Sequence, residues 1–392
     1  MSRWLVITIV ASVSVLAACG GVTQPVPTGP IKIGMITSLT GPYTALGTND
    51  KLGALQAVAE INKAGGVNGR QLELTILDDQ TKPDQAVIDY DQLVSQGVVA
   101  VVGSSFSGSS LAVIPIVDRK SIPYVSTAAA DNQVEPVHPF VFMTPPTAAT
   151  VAERLLQYMK AKALTKMAVL RNSQNAFADI GWGAMKAKAA QYGITFVDEE
   201  TNEFSTTDYT PQLTHIKASG AQGLMVWDTG PGPVILTKQF SAQGQTIPLI
   251  MSHAEASTLY AKPAGPAAEG VIVATSMAVI GPHLPAAHPA KTLIDVMAKT
   301  FEAANGYYPP QFAFDGYGAI KLIIDAIKRK GATPAQIQQG LETANLLTPE
   351  GTYAYSKTNH YGLGLSSVAV TRIKNGEFVP TEFSAKLLAE GK

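Results

Sequence analysis

The sequence predicts an α/β protein made of two units, each with a parallel sheet covered by helices on both faces. Short apolar runs rich in β-branched residues alternate with amphipathic helical stretches along most of the chain. The strand-like runs are apolar along their whole length, which is typical of parallel strands buried on both faces. Pro145 and Pro146 interrupt the alternation, and the pattern then starts again.

The first unit contains strand-like runs separated by helices. The strands are predicted at residues 31–37, 72–78, 98–103 and 122–126. The helices between them are predicted at residues 52–66, 84–97 and 109–120. Apolar residues recur in these helices at three- and four-residue steps, and a glycine follows the first two helices, as expected at helix ends.

The second unit repeats this order and is followed by a helical region and a hairpin. Its strands are predicted at residues 166–170, 194–199, 223–228, 247–251 and 270–274. Helices follow at residues 290–304, 312–330 and 333–344. The stretch 366–383 predicts a hairpin that turns at Asn375 and Gly376, because Asn-Gly favours the tight turn between antiparallel strands.

Composition and motifs exclude several classes of function. The 392 residues include 29 basic and 30 acidic side chains, so no strongly basic surface is available for nucleic acid. Neither the H-E-x-x-H motif of zinc proteases nor the G-x-S-x-G elbow of hydrolases occurs. His283 and His288 lie in a proline-rich loop without an acidic or thiol partner nearby. We therefore expect no catalysis, no metal, no cofactor and no nucleic-acid partner.

The amino terminus is typical of an export signal. Arg3 gives it a positive start, residues 4–16 are uncharged and mostly apolar, and small residues precede Cys19. The apolar run is too short to cross a bilayer, which takes about 20 residues. Cys19 is the single cysteine of the chain, and "LAAC" resembles the lipobox of bacterial lipoproteins. An ordinary cleaved signal with an incidental cysteine is the alternative.

The lipoprotein interpretation predicts the organisation of the first 30 residues. Residues 1–18 are a signal peptide, Cys19 carries the lipid anchor, and residues 19–30 form a flexible tether rich in Gly, Pro and Thr. The mature protein is then exported and held at the cell envelope. It lies on the periplasmic side in a Gram-negative cell or on the outer face of the membrane in a Gram-positive cell.

The loop "GSSFSGSS" at residues 103–110 joins a predicted buried strand to a helix start. Ligands of α/β sheets bind beyond the carboxyl ends of strands, and the free N–H groups of a helix start attract a carboxylate. The loop is a poor nucleotide site because Ser109 stands where a P-loop has lysine. A serine-rich helix cap without a ligand is the alternative.

Several motifs resemble one known family. They are the T-G-P turn at 40–42, the stretch E-I-N-x-x-G-G-x-N-G-R at 60–70, the paired Asp78 and Asp79, and, more weakly, "PAAEGV" at 266–271. From about Ile31 onward the chain is similar to the branched-chain amino acid type of periplasmic substrate-binding protein, which feeds ABC importers.

This resemblance implies two doubly wound domains joined by three crossovers, the type I periplasmic binding fold, with the ligand in the cleft between them. The first lobe is expected at residues 31–144 and 275–362, and the second at residues 145–274 and 363–392. The ligand, a small carboxylate, is captured by hinge closure without chemistry. The expected partners are ABC permease and ATPase subunits, and the protein is expected to be a monomer.

In the first lobe, the resemblance implies ligand contacts around two loops. Ser107 matches a residue whose hydroxyl and N–H hold the ligand carboxylate, and Phe106 precedes it. Ala128 matches a position that offers backbone groups. Ala130 stands where amino-acid binders have a threonine that helps to hold the ammonium, so that hydroxyl is missing here. Leu46 presents a bulky side chain at the lip of the cleft.

In the second lobe, the resemblance is weaker. Phe177 matches a tyrosine that closes over the ligand, so the ring is kept and its hydroxyl is lost. Asp228 lies beside a strand end. Glu255 lies near the position of the family's ammonium-binding acid, and His253 is an alternative for that place.

These residues leave two ligand classes open. If Asp228 and Glu255 face the cleft, the ligand is an amino acid or another amine-bearing carboxylate. If they point away, the pocket suits an apolar or aromatic carboxylate without an amine. The hydroxyls lost at Ala130 and Phe177 favour the second class, because a buried ammonium needs partners. A ligand-sensing receptor domain of the same fold and an exported hydrolase are the alternative functions.

Overall fold

The computed structural model of the protein describes residue 1 and residues 29–391. Cys19, and with it almost all of the predicted signal peptide and tether, lies outside the described residues. Among the residues described, no helix combines the length and apolar character that crossing a membrane requires.

The first sheet has five parallel strands in the order β2-β1-β3-β4-β5. The strands are β1 (Ile31–Thr37), β2 (Leu72–Asp78), β3 (Ala100–Val102), β4 (Tyr124–Ser126) and β5 (Val141–Met143). The helices between them are α1 (Thr44–Lys63), α2 (Pro83–Ser95) and α3 (Ser107–Lys120). Every residue of β1 except Lys32 is buried, as expected for a strand covered on both faces.

The next part of the chain builds a second parallel sheet. Its strands are β6 (Lys166–Asn172), β7 (Thr195–Asn202), β8 (Leu224–Trp227), β9 (Leu249–Met251) and β10 (Ile272–Ser276). Its helices are α4 (Ala148–Ala161), α5 (Ala176–Lys188), α6 (Thr210–Ala218), α7 (Gly232–Ala242) and α8 (Thr258–Ala264). β1 and β6 occupy equivalent positions in the two sheets. In each sheet the direction in which strands are added reverses next to this strand, between β1 and β3 in the first and between β6 and β8 in the second.

The chain then returns to the first sheet. Helices α9 (Lys291–Asn305), α10 (Gln311–Lys330) and α11 (Pro334–Leu341) are followed by the short pair β11 (Asn345–Thr348) and β12 (Gly351–Ala354). α10 packs along α1. The last strands, β13 (Val368–Lys374) and β14 (Glu377–Pro380), join the second sheet beside β10 in antiparallel orientation, and α12 (Glu382–Ala389) follows.

The chain crosses between the two sheets three times: after β5, after β10 and before β13. The predicted hairpin at Asn375 and Gly376 is present, and both residues have positive φ. β5 and the pair β11 and β12 were not predicted. β5 lies just before Pro145 and Pro146, in the stretch where the prolines interrupt the predicted pattern. β11 and β12 lack the continuous apolar run that indicates a buried strand. β4 begins only at Tyr124, because Pro123 has no N–H for a strand ladder.

Candidate ligand-binding site

A small cavity lies between the two sheets at the carboxyl ends of their strands. Its lining residues follow β1, β3, β4 and β5 in the first sheet and β6, β8 and β9 in the second, and the start of α10 completes it. These ends flank the points where strand order reverses, which is where ligands bind in α/β sheets. The cavity volume, counted as the space open to the centre of a water molecule, is about 20 Å³. That is room for about one water, so the cleft is closed in this structure.

The start of α3 forms one wall of the cavity. Ser105 and Ser107 line it, and both are buried. The hydroxyl of Ser105 has no hydrogen-bond partner among the described residues. The N–H groups in the first turn of a helix also lack partners within the helix. This wall therefore presents hydrogen-bond donors to the cavity, and no lysine or arginine lines it.

The lip of the first lobe is a small apolar cluster. Tyr43, Leu46, Phe106 and Phe312 pack together and are buried. Leu46 and Phe312 line the cavity. Phe106 does not, because its ring lies against Tyr43 with 4.7 Å between the ring centroids. Leu46 thus lines the cavity, and Phe106 packs behind the lip.

Ala128 and Ala130 do not line the cavity. The Ala128 N–H donates to Oγ of Ser126 at 3.0 Å, and the carbonyls of Ala128 and Ala130 both accept from Nε2 of Gln133 at 3.0 Å. The backbone groups that the sequence assigns to the ligand are therefore engaged within the lobe. Thr127 and Ala129 line the cavity in their place.

In the second lobe, two rings face the cavity. Phe177 lines it at the start of α5 and meets His253 edge-on at 5.2 Å between ring centroids. The N–H of Phe177 donates to Oδ1 of Asn175, which fixes the start of the helix. His253 also lines the cavity, and its Nδ1 is buried without a hydrogen-bond partner in the described part of the chain. Burial lowers the pKa of His253 to about 3, so its imidazole is neutral near pH 7.

The two acids predicted in the second lobe do not line this cavity. Asp228 accepts from Nδ2 of Asn172 at 2.9 Å and from Nδ2 of Asn202 at 2.7 Å. Burial raises the pKa of Asp228 to about 6. Glu255 accepts from Oγ of Ser252 at 3.0 Å and lines a neighbouring hollow, which shares Leu46, Ala254 and Phe312 with the cavity. The neighbour of Asp228 that does line the cavity is Thr229.

Sequence reasoning missed the acids of the first lobe. Asp315 lines the cavity from α10 and is fully buried, and Asp50 and Glu350 are fully buried as well. The sequence signal for Asp315 was one charged residue in the apolar stretch 312–320, whose aromatic residues were assigned to the core. Asp50 and Glu350 carried no comparable signal, because both stand in ordinary polar surroundings in the sequence.

The two lobes touch at the rim of the cavity. Oγ1 of Thr229 donates to the hydroxyl of Tyr43. A Cβ at Gly230 would lie 3.1 Å from the carbonyl oxygen of Pro42, so the two backbones are close at this point. Tyr43 follows β1 and Thr229 follows β8, which means that the contact joins the two sheets.

Comparisons with known proteins agree with this architecture. A family model described as periplasmic binding protein matches residues 30–377. The chain is similar to the Leu/Ile/Val-binding protein homolog 3 of Brucella melitensis, with 27% identity over 356 residues, 90% of this chain and 94% of that protein. It is also similar to the leucine-, isoleucine-, valine-, threonine- and alanine-binding protein of Pseudomonas aeruginosa, with 26% identity over 352 residues, 87% of this chain and 90% of that one.

A solved structure supports the same fold. The crystal structure of an extracellular ligand-binding receptor from Rhodopseudomonas palustris HaA2 superposes with a TM-score of 0.83 at 24% identity, covering 90% of this chain and 100% of that chain. The predicted fold class, two doubly wound parallel-sheet domains joined by three crossovers, is confirmed. The family match spans most of the chain. The chain therefore belongs to the periplasmic binding protein family of exported solute-binding proteins, and within it to the branched-chain amino acid type.

Proposed function

We propose that this protein is the solute-binding component of an ABC importer and that it captures a small carboxylate by closing its two lobes. The moving bodies are residues 31–144 with 275–362 and residues 145–274 with 363–392. The observation that carries the proposal is the small cavity between the sheets, with Ser105 and Ser107 at a helix start on one wall. Closure without chemistry accounts for capture and for release to a permease.

The lining chemistry supports a ligand with one anionic end and an apolar body. The anionic end has donors at the start of α3, where the helix dipole adds a partial positive charge. Leu46, Phe177 and Phe312 offer apolar surface for the body. The neutral His253 supplies a polar atom without adding a positive charge. A closed, water-poor cavity strengthens each of these hydrogen bonds.

The test is titration calorimetry with leucine, valine, phenylalanine, benzoate and phenylacetate on the wild type and on Ser107→Ala. A ligand at a hundred times its Kd should also raise the free energy of unfolding by about 2.7 kcal/mol. We expect Ser107→Ala to weaken binding by about tenfold, because one donor to a buried charged group is lost. Ser95→Ala, on the exposed side of α2, is the control. Equal affinity in wild type and Ser107→Ala would place the carboxylate elsewhere.

We also propose that Cys19 carries a lipid anchor. The "LAAC" sequence and the uncharged tether support this, and both lie outside the described residues. Cys19→Ser should move the protein from the membrane fraction to the soluble fraction, with no change in ligand affinity. Membrane attachment of the variant, measured by fractionation, would refute the anchor and leave the ligand proposal intact.

A further inference from the structure

Three buried acids lie together on the first-lobe side of the cavity. We name Asp50, Asp315 and Glu350 the first-lobe acid cluster. They come from α1, from α10 and from the turn between β11 and β12, and none is exposed to solvent. α1 and α10 approach closely at this level, since a Cβ at Gly53 or Gly316 would overlap the backbone of the other helix. The packing of these two helices therefore fixes the cluster.

The cluster lacks partners for most of its oxygen atoms. Oδ2 of Asp50 accepts from Thr127 at 3.0 Å, and Oε2 of Glu350 accepts from Tyr353 at 2.9 Å. The other four carboxylate oxygens, two of which belong to Asp315, make no hydrogen bond of ordinary geometry with residues 29–391. Polar neighbours are nevertheless close, with Glu350 and Gln311 beside Asp315 and Ser105 beside Asp50. No ion pair formed within that range includes a member of the cluster. A buried acid is costly when it is ionised without a counter-charge, so a cation at this place would stabilise the ionised form of the cluster.

Further polar side chains border the same space. Asp315 lines the ligand cavity together with Ser105, His253 and Gln311. Oγ of Ser105, Nδ1 of His253 and Nε2 of Gln311 are all buried without a hydrogen-bond partner within the described part of the chain. The carboxyl group of Asp315 and these three polar side chains therefore surround one small space.

We propose that the first-lobe acid cluster holds a primary ammonium group of the ligand, with Asp315 as the contact. The ligand is then an amine-bearing carboxylate whose ammonium is held by the first lobe. This inference rests on the proposed function, since the carboxylate is taken to lie at the start of α3. It differs from the prediction made from the lost hydroxyls at Ala130 and Phe177. That prediction considered acids of the second lobe, Asp228 and Glu255, whereas Asp315 belongs to the first lobe.

The cluster suits an organic cation better than a metal ion. Among the described residues, no group of three or more His, Cys, Asp and Glu side chains has an arrangement that could hold a metal. An ammonium needs only two or three acceptors at hydrogen-bond distance, and Asp315 offers two. The ligand's own carboxylate keeps the net charge brought into the cavity at zero.

Proton linkage gives this site a distinct signature. Burial raises the pKa of Asp50, Asp315 and Glu350, so in the empty protein the cluster retains protons that free acids would lose. The groups that face it are Asp79, Tyr353, Tyr355 and, across the cavity, His253. Burial lowers the pKa of His253 and raises that of both tyrosines, which keeps those three neutral from pH 5 to 8. An ammonium therefore displaces protons as it binds, and its affinity increases with pH.

The experiment compares ligands that differ only in one charged group. Calorimetry is run with leucine, 4-methylpentanoate and 3-methylbutylamine, and with the corresponding sets built on alanine and phenylalanine, at pH 5.5 and pH 8. We expect the best amino acid to bind at least about tenfold more tightly than its amine-free partner, with proton release seen as a heat difference between phosphate and Tris buffers. The amine-free acid should bind less tightly at pH 8 than at pH 5.5.

Variants locate the effect at the cluster. Asp315→Asn should weaken the amino acid by at least about tenfold and the amine-free acid by less than about threefold. Asp50→Asn should reduce the increase of amino-acid affinity between pH 5.5 and pH 8, because one titrating acid of the cluster is removed. Thermal unfolding checks that both variants are folded. Asp91→Asn, an exposed acid on α2, should change neither affinity.

The outcomes separate this inference from the proposed function. Equal or tighter binding of the amine-free acid, with Asp315→Asn leaving the ratio unchanged, overturns the ammonium site and leaves the carboxylate receptor standing. Binding of the amine alone supports the ammonium site and overturns the carboxylate proposal. Failure of every compound to bind overturns both.

Discussion

Several side chains that line the cavity carry buried polar atoms without a hydrogen-bond partner among the residues that the structure describes. His253 is an example, since its ring packs against Phe177 and its Nδ1 has no hydrogen bond to a described residue. Such groups cost stability and are retained where a ligand completes them. The free energy lost in the empty protein is recovered as binding free energy when a ligand supplies the partner.

His253 gives a prediction for the pH dependence of stability. Its pKa is about 3 in the folded protein and about 6.5 in the unfolded chain, so the unfolded state binds the proton more tightly. The contribution of the neutral ring to stability is therefore present above pH 6.5 and is lost as pH falls toward 3. Between pH 7 and pH 5, wild type should lose about 2 kcal/mol more unfolding free energy than His253→Gln, measured by urea denaturation. Parallel pH profiles would contradict a buried neutral histidine.

The loop between β3 and α3 shows how one element presents the site. A chain of hydroxyl groups runs beneath it, in which the Ser104 N–H donates to the hydroxyl of Tyr124 at 3.1 Å, and Oγ of Ser110 lies 2.8 Å from the same hydroxyl. Oγ of Ser126 continues the chain by donating to Ser110 at 3.1 Å. Gly103 is needed here because a Cβ would overlap the ring of Tyr124. This network holds the start of α3 in place.

Removing one hydroxyl tests the role of that network. Tyr124→Phe leaves the Ser104 N–H without its partner, so we expect the unfolding free energy to fall by about 1–3 kcal/mol and carboxylate affinity to decrease as the loop loosens. Tyr90→Phe is the matched control. The ring of Tyr90 meets that of Tyr124 edge-to-face, and its hydroxyl donates to the carbonyl of Ile122 at 2.8 Å, away from the loop. Tyr90→Phe should lower the unfolding free energy without changing the affinity for the carboxylate. Equal losses of affinity in the two variants would contradict a local effect.

The whole molecule is observed with its two lobes in contact over the cavity. The hydrogen bond between Thr229 and Tyr43 and the close approach of Gly230 to Pro42 lie at the rim. A cavity with room for about one water cannot admit a solute unless these contacts open. Under the proposed function, entry of the solute requires rotation about the three crossovers.

Tyr43→Phe should shift this equilibrium toward the open form. It removes one hydrogen bond between the lobes, worth about 0.5–1.5 kcal/mol, and so changes the ratio of open to closed molecules by about two- to twelvefold. Small-angle scattering of the ligand-free variant should give a larger radius of gyration than wild type. Tyr307→Phe is the control, because Tyr307 donates to Asn49 within the first lobe. An unchanged radius in Tyr43→Phe would show that this contact does not hold the lobes together.

The sequence by itself determined the features that depend on local spacing. Alternating apolar runs and helices predicted the two α/β units, Asn375 and Gly376 predicted the terminal hairpin, and the serines before α3 predicted the helix start that lines the cavity. These patterns can be predicted because strand, turn and helix-start preferences act over a few neighbouring residues. β5 was missed because it lies just before Pro145 and Pro146, and the pair β11 and β12 because neither strand has a continuous apolar run.

Only the tertiary structure decided which acids meet the cavity. Asp228 and Glu255 lie near strand ends as expected, yet Asn172 and Asn202 hold the first, and the second faces a neighbouring hollow. The direction of a side chain at a strand end depends on partners from other strands, which local sequence does not specify. In the same way, Asp50, Asp315 and Glu350 become neighbours only because α1 packs against α10 and the chain returns from the second sheet to the first.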